Sequence, residues 1–186
     1  TKIGLFENNE EIFKLSIEHS EKELSKFKEI SDQYEFRLGM VLKALEDNKI
    51  DINTIDAFSG RGGSLEPCTG GTYLINDLMY KDAKSMRIAK HPSVLGIVIC
   101  KNLGLLYQKP AFCVNPPDVD EFIMEARITG IPGVYRESRI HALNQKEIAI
   151  RYAKKIGKKY QDLNLIVCHL GGGVSIAAHN HGKMID

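Results

Sequence analysis

The chain has 186 residues, enough for one sizeable domain or for one domain and part of another. Apolar residues make up 43% and charged residues 26%, which is ordinary for a soluble globular protein. The net charge of +1 gives no electrostatic reason to expect a nucleic acid or a membrane as a partner, and no apolar run approaches the roughly 20 residues of a membrane-spanning helix.

Hydrophobic periodicity divides the chain into short strands and helices. The first two strands are predicted to form a hairpin, and after residue 55 strands and helices alternate, which favours an α/β fold. In chain order the predicted elements are strands over 1–7 and 11–19, helices over 21–27 and 32–48, a strand over 55–59, helices over 73–85 and 94–107, a strand over 110–114, helices over 118–130 and 144–156, and strands over 165–168, 174–178 and 183–185.

Capping patterns set the predicted starts of four helices. A Ser, Asp or Asn at the N-cap accepts hydrogen bonds from free backbone N–H groups, and a Glu three residues later completes a capping box. The predicted caps are Asp32 with Glu35, Ser93, Asp118 with Glu121, and Asn144 with Glu147.

Cysteines and histidines give no metal signature. The four cysteines form no CxxC pair, and three lie in or beside apolar segments, so we expect buried, reduced thiols in a cytosolic protein. His179 and His181 flank Asn180 in a predicted turn and are expected to be solvated. Because a third ligand is not evident, no metal site is predicted.

Two glycine-rich loops are the strongest local signals. Gly171, Gly172 and Gly173 follow a predicted strand, so their N–H groups either cradle an anion such as phosphate or simply close a tight hairpin. Arg61 lies among glycines after another predicted strand and is either an anion-binding guanidinium or a surface arginine in a flexible turn. The two loops together suggest one polyanionic ligand.

Several polar residues near these loops are weaker candidates. His169 lies at the mouth of the possible phosphate cradle, although a histidine at a strand end is often structural. His91 and His141 are individually weak. Asn115, Asp118 and Asp120 cluster after a strand, where α/β proteins often gather site residues, although Asp118 is equally explained as a helix cap.

Taken together, the motifs resemble those of the acetate, propionate and butyrate kinases. The order and spacing of these motifs match over essentially the whole chain. The segments that carry the resemblance are SGRGGS (59–64), PCTGGTY (67–73), HP (91–92), AFCVNPP (111–117), RIHALNQK (139–146) and CHLGGGVSIAA (168–178).

The resemblance implies an α/β, ribonuclease-H-like fold of the actin-like ATPase type, with two lobes around an ATP cleft. Residues 1–144 would form most of the first lobe, and residues 145–186 would begin the second. The implied reaction transfers a phosphoryl group from ATP, with Mg²⁺, to a short-chain carboxylate such as butyrate. Family members are homo-oligomers, so a homo-oligomer is expected here too.

The resemblance also assigns roles to individual residues. Arg61 would hold the carboxylate or the transferring phosphoryl group, and His169 would donate to the phosphoryl oxygens, with His141 nearby. The N–H groups of Gly171, Gly172 and Gly173 would contact the ATP phosphates. His91 and Asn115 would shape the acyl-substrate side.

The chain departs from the family pattern in two ways. Asn115 replaces an aspartate, so a negative charge is lost. The chain is also expected to be only about half of a family member, without the phosphate loop expected before Thr1 and without the adenosine-binding motif expected after Asp186. We therefore expect little kinase activity from these residues alone. The alternative is a non-catalytic remnant that serves as a binding or assembly module.

Overall fold

A computed structural model describes residues 1–63, 65–88 and 90–186, so Ser64 of the SGRGGS motif and Ala89 lie outside the described residues. Strands β1 to β8 cover Lys2–Glu7, Glu10–Ser16, Phe58–Gly60, Thr72–Leu74, Ala111–Val114, Asn164–Leu170, Val174–Asn180 and Lys183–Met184. Helices α1 to α6 cover Glu21–Leu24, Tyr34–Asp47, Asp77–Ser85, Leu95–Tyr107, Met124–Arg127 and Ala142–Lys155. Among the described residues, no helix is both long and apolar enough to cross a membrane.

The strands of the described residues form three small sheets. Strands β1 and β2 make the predicted N-terminal hairpin. In the second sheet β5 is central, parallel to β3 and antiparallel to β4. The third sheet is an antiparallel meander of β6, β7 and β8. Its β7–β8 turn has His181 and Gly182 at positive φ, as the Asn-His-Gly signal predicts.

Helix α4 forms the centre of the first core. Its residues Ile97, Val98 and Leu103 are buried against β3 and β5. The helix approaches β3 closely, because a Cβ on Gly60 would lie only 2.5 Å from the carbonyl oxygen of Gly96. The nearly continuous apolar sequence of α4 predicted burial on several sides. In fact its C-terminal end is partly uncovered, and its last two leucines, Leu105 and Leu106, are exposed.

Helix α6 packs on the third sheet and forms a second core. Ala149 and Ala153 of the helix meet Tyr160, Leu163 and Val167. The small alanine side chains allow the helix to lie close to β6. This packing brings the start of α6 next to the end of β6.

A buried ion pair joins α6 to the loop after β5. Lys146 Nζ lies 2.7 Å from Glu121 Oε2, and both side chains are less than a tenth exposed. Glu121 also accepts the backbone N–H groups of Gly70 and Met184. One carboxylate therefore ties together three segments that are distant in sequence.

None of the four predicted helix caps is observed, and the first two lie before α2 and α4. Asp32 Oδ2 accepts the N–H of Glu29, ahead of the helix, and α2 begins at Tyr34 without a side-chain cap. Ser93 does not cap α4. Instead, the Nδ1 atom of His91 accepts the Ser93 N–H, and a 3₁₀ turn over Pro92–Val94 leads into the helix.

The region after β5 contains a shorter helix than predicted. Only Met124–Arg127 is helical, because Asp118 and Glu121 are not caps. Asp118 pairs with Arg139, and Glu121 pairs with Lys146. Long-range ion pairs take the carboxylates that the local pattern assigned to a helix start.

Two other helix starts also differ from prediction. Residues 73–85 divide into strand β4 and helix α3, whose cap is Asn76, with Oδ1 accepting the Met79 N–H at 2.8 Å. Helix α6 begins at Ala142, two residues before the predicted cap Asn144, which has no capping bond. The predicted lobe boundary after residue 144 therefore lies in the first turn of α6.

Candidate functional site

Two histidines stack face to face where β6 ends and α6 begins. The ring centroids of His141 and His169 are 3.7 Å apart, and the ring planes differ by 5°. His169 points to the side of β6 that α6 covers, since Leu165, Val167 and His169 alternate along the strand toward the helix. Both histidines are among the site residues that the sequence predicts, but their stacking is not predicted by any sequence pattern.

Both rings are held through their Nδ1 atoms. His141 Nδ1 lies 2.9 Å from Ser175 Oγ, and His169 Nδ1 lies 2.9 Å from the amide nitrogen of Asn144. The pKa of His141 is lowered by burial first, then by its neighbours His169 and Arg61. His141 is therefore uncharged at neutral pH.

The Nε2 edges of the two rings face the glycine turn that joins β6 to β7. A Cβ on Gly173 would lie 3.0 Å from His141 Nε2, and a Cβ on Gly171 would lie 3.7 Å from His169 Nε2. A Cβ on Gly172 would meet no atom within 4 Å. Of the three glycines in this turn, only Gly173 would bring a Cβ into tight contact with a histidine.

Arg61 lies in the loop after β3, and the two glycines that follow it pack closely against neighbouring side chains. Gly62 and Gly63 have φ of +70° and +130°, which side chains rarely adopt. A Cβ on Gly62 would lie 2.7 Å from Cys113 Sγ, and one on Gly63 would lie 2.7 Å from Ser93 Oγ. The exposed guanidinium of Arg61 is close enough to lower the pKa of His141. The structure therefore brings Arg61 and the two histidines to one region.

His91 and Asn115 make local structural contacts. His91 Nδ1 caps the turn before α4 and lies 2.7 Å from Ser93 Oγ. Asn115 has φ of +40°, and its Oδ1 accepts the Gly71 N–H at 2.8 Å while its own N–H donates to the Gly71 carbonyl. The amide at residue 115 thus holds the neighbouring loop.

The carboxylates that could replace the lost charge at Asn115 are engaged with arginines. Asp120 accepts from both terminal nitrogens of Arg127, at 2.7 and 2.8 Å. Asp118 is buried, and its Oδ1 lies 3.1 Å from Arg139 Nη1. Neither is an unused acceptor for a metal or substrate.

One histidine prediction is wrong. His179 is only 2% exposed and lies between Tyr160 and Gln145, whereas His181 is exposed as predicted. Ser175, Ala177 and His179 share the buried face of β7. Extending the period-2 pattern of the strand by two residues would have predicted this burial.

The cysteines are free but differ in exposure. Cys113 is fully buried, and burial raises its pKa to about 12. Cys168, at the end of the β6 apolar run, is exposed instead of buried. It lies on the face of β6 opposite the α6 helix.

Comparison with known proteins shows which proteins the chain resembles. Residues 127–186 match the acetokinase family. All 186 residues align at 46% identity with a probable butyrate kinase of Clostridium botulinum (strain Alaska E43 / Type E3), and at 48% with butyrate kinase 2 of Clostridium acetobutylicum. The chain is similar to butyrate kinases along its whole length, and residues 127–186 carry the match to the acetokinase family. It spans about half the length of the curated relatives it matches, 52% in both cases.

Solved acetokinase-family structures share the fold. Acetate kinase of Porphyromonas gingivalis superimposes with a TM-score of 0.64 at 20% identity, covering 81% of this chain and 41% of that chain. A propionate kinase of Francisella tularensis subsp. tularensis SCHU S4 gives 0.56 at 23% identity, covering 80% and 40%. The predicted α/β fold of the actin-like ATPase type is confirmed.

Proposed function

We propose that this chain carries part of the active site of a carboxylate kinase. The enzyme would transfer the γ-phosphoryl group of ATP to butyrate or a related short- or branched-chain fatty acid, giving acyl phosphate and ADP reversibly. The observation that carries this proposal is the convergence of Arg61, His141 and His169 in a chain 46% identical to a probable butyrate kinase.

The chemistry of the cluster fits transfer of a phosphoryl group between two anions. Such a reaction needs positioning and charge neutralisation more than covalent help from the protein. Arg61 offers a planar, permanently charged fork to a carboxylate or phosphoryl group. His141 and His169 offer ring N–H donors, and the Gly171–173 turn would bring backbone N–H groups to the ATP phosphates. His91 and Asn115 would shape the acyl side through the loops that they hold.

Mg²⁺ has no evident ligand set among the described residues. No group of three or more His, Cys, Asp or Glu side chains in that part of the chain is placed to hold a metal. The oxygens of Asn115, Asp118 and Asp120 nearest the loops already have hydrogen-bond or ion-pair partners. Since Mg²⁺ in kinases binds largely through phosphates and water, we propose it only as a companion of ATP.

We also propose a lobe division near residue 144. The first large core draws on residues between Tyr34 and Cys113, whereas another core draws on Ala149 to Val167. The enzyme is proposed to be a homo-oligomer and to act in the cytoplasm, where free thiols such as Cys168 stay reduced.

An acyl-hydroxamate assay tests the proposed function. The protein encoded by the complete gene would be given ATP, Mg²⁺ and a panel of C2 to C6 carboxylates, beside the Arg61→Ala variant. Arg151→Ala is the matched control, because Arg151 is exposed and pairs only with its helix neighbour Glu147 in the described contacts. Product from butyrate or isobutyrate that is lost in Arg61→Ala and kept in Arg151→Ala supports the proposal. A folded protein that yields no product from any acid favours the binding or assembly module.

A further inference from the structure

We infer that a buried chain of hydrogen bonds fixes the proton of His141 on Nε2, the ring nitrogen that faces the glycine turn. The chain runs from Tyr160 through His179, Gln145 and Ser175 to His141. Its meaning for catalysis rests on the proposed function, but the tautomer itself can be measured without any reaction.

The direction of the chain is set by a backbone carbonyl. The amide nitrogen of Gln145 lies 3.2 Å from the Ser175 carbonyl oxygen and 2.8 Å from Ser175 Oγ. A carbonyl oxygen only accepts hydrogen bonds, so the nitrogen end of this fully buried amide must face Ser175. The Oε1 end of Gln145 must therefore face His179.

His179 then has one allowed tautomer. Its Nε2 lies 3.0 Å from Gln145 Oε1, which can only accept, so Nε2 carries the hydrogen. Its Nδ1 accepts the Tyr160 hydroxyl hydrogen at 2.6 Å. The neutral ring is satisfied on both sides, and burial lowers its pKa to about 4. His179 is thus a fixed neutral link.

At the other end, the same logic determines the proton of His141. Ser175 Oγ already accepts from the Gln145 amide, and the His141 backbone N–H points to it at 3.4 Å. The one hydroxyl hydrogen of Ser175 is therefore free to donate to His141 Nδ1, 2.9 Å away. Because Nδ1 accepts, the ring hydrogen of neutral His141 lies on Nε2.

This tautomer matters because Nε2 lies beside Gly173. In the Nε2–H form His141 donates a hydrogen bond toward an anion held at the turn. In the other tautomer it would present a lone pair to the same anion and repel it. Ser175 and Gln145 are therefore positioning residues that act through His141.

The test is long-range ¹H–¹⁵N NMR of the histidine rings in the ¹⁵N-labelled full-length protein, with no ATP or acid present. The His141 signals are assigned by their loss in His141→Gln. We expect an unprotonated Nδ1 and a protonated Nε2 in the wild type. In Ser175→Ala the single pattern should give way to averaged shifts of two tautomers, and Ser175→Thr, which keeps a hydroxyl, should restore the wild-type pattern.

Two controls separate this effect from general disturbance. Ser175→Ala keeps the carbonyl that orients Gln145, so the His179 signals should not change. Asn180→Ala removes a hydrogen bond to Asn164 on the same pair of strands and should leave His141 unchanged. In the hydroxamate assay, Ser175→Ala should lose about tenfold in kcat, with recovery in Ser175→Thr.

Either of two NMR results would overturn the inference: a protonated Nδ1 on His141 in the wild type, or an unaltered His141 pattern in folded Ser175→Ala. A protein with the predicted tautomer but without kinase activity would contradict the proposed function alone.

Discussion

Single residues at this site are constrained by the atoms that they approach. Gly173 is the clearest case, because a Cβ there would lie 3.0 Å from both Nε2 and Cε1 of His141. We predict that Gly173→Ala displaces the ring and lowers kcat at least about tenfold, since small misplacements of catalytic groups are costly. Thermal unfolding should change little, because Gly173 is exposed.

Gly172→Ala is the matched control for this prediction. A Cβ at Gly172 would meet nothing within 4 Å, so kcat in the hydroxamate assay should stay near the wild-type value. Equal losses of activity in the two variants would show that the turn itself, and not the contact with His141, is what the substitutions disturb.

Asn115 allows a second prediction at the residue scale. It combines φ of +40° with a side-chain bond to the Gly71 N–H, and asparagine and aspartate tolerate that backbone better than other side chains. We expect Asn115→Ala to lower the free energy of unfolding by about 2 kcal/mol.

The control variant is Asn115→Asp, which keeps both the backbone preference and the acceptor. Its unfolding free energy, measured with urea, should lie within about 0.5 kcal/mol of the wild type. A loss in the aspartate variant as large as in the alanine variant would contradict the role given to the Gly71 bond.

At the scale of elements, the Glu121–Lys146 pair joins α6 to two loops. Both charges are buried, so removal of one leaves the other without its partner. We predict that Lys146→Met lowers the free energy of unfolding by about 3 kcal/mol. Adding Glu121→Gln should recover part of this loss, because the amide removes the buried charge and keeps an acceptor oxygen.

The exposed pair of Arg151 and Glu147 provides the comparison. It lies on the same helix, and Arg151→Ala should cost less than about 0.5 kcal/mol in the same urea titration. If Lys146→Met lowered the free energy of unfolding no more than Arg151→Ala does, the buried ion pair would not be what holds α6 to these loops.

The elements that the sequence predicts best are those whose structure is determined by residues close to each other in the chain. Strands β6 and β7 follow from a β-branched run and period-2 alternation, and their link to β8 follows from a turn signal at residues 180–182. The predictions of helix caps were wrong for a physical reason. Asp118, Glu121 and Asn144 bind partners that are distant in sequence, and no local pattern shows that competition.

The site itself was only partly predictable for the same reason. Arg61, His141 and His169 lie in glycine-rich or strand-end motifs, so they could be selected by residue type. Their relative placement depends on how α6 packs on β6. The residues that hold the two histidine rings could not be predicted without knowledge of that packing. They are Asn144, Gln145 and Ser175.

At the scale of the whole molecule, the buried His179 makes the stability of the fold depend on pH. It contacts Tyr160 and Gln145 and lies between α6 and the third sheet, so its protonation would disrupt that core. Burial lowers its pKa to about 4, whereas a histidine in the unfolded chain has its ordinary value of about 6.5. The folded state therefore binds fewer protons than the unfolded state between these values.

The sign of this difference gives the last prediction. The stability that neutral His179 contributes is fully present above about pH 6.5 and is lost as pH falls toward about 4. The loss should reach about 3 kcal/mol, measured as unfolding free energy from pH 7.5 to 4.5. The His181→Gln variant should lose the same unfolding free energy as the wild type over this pH range, because His181 is exposed. Direct NMR titration of His179 with a midpoint near 6.5 would contradict the prediction, since a normal midpoint requires that both states bind the proton equally.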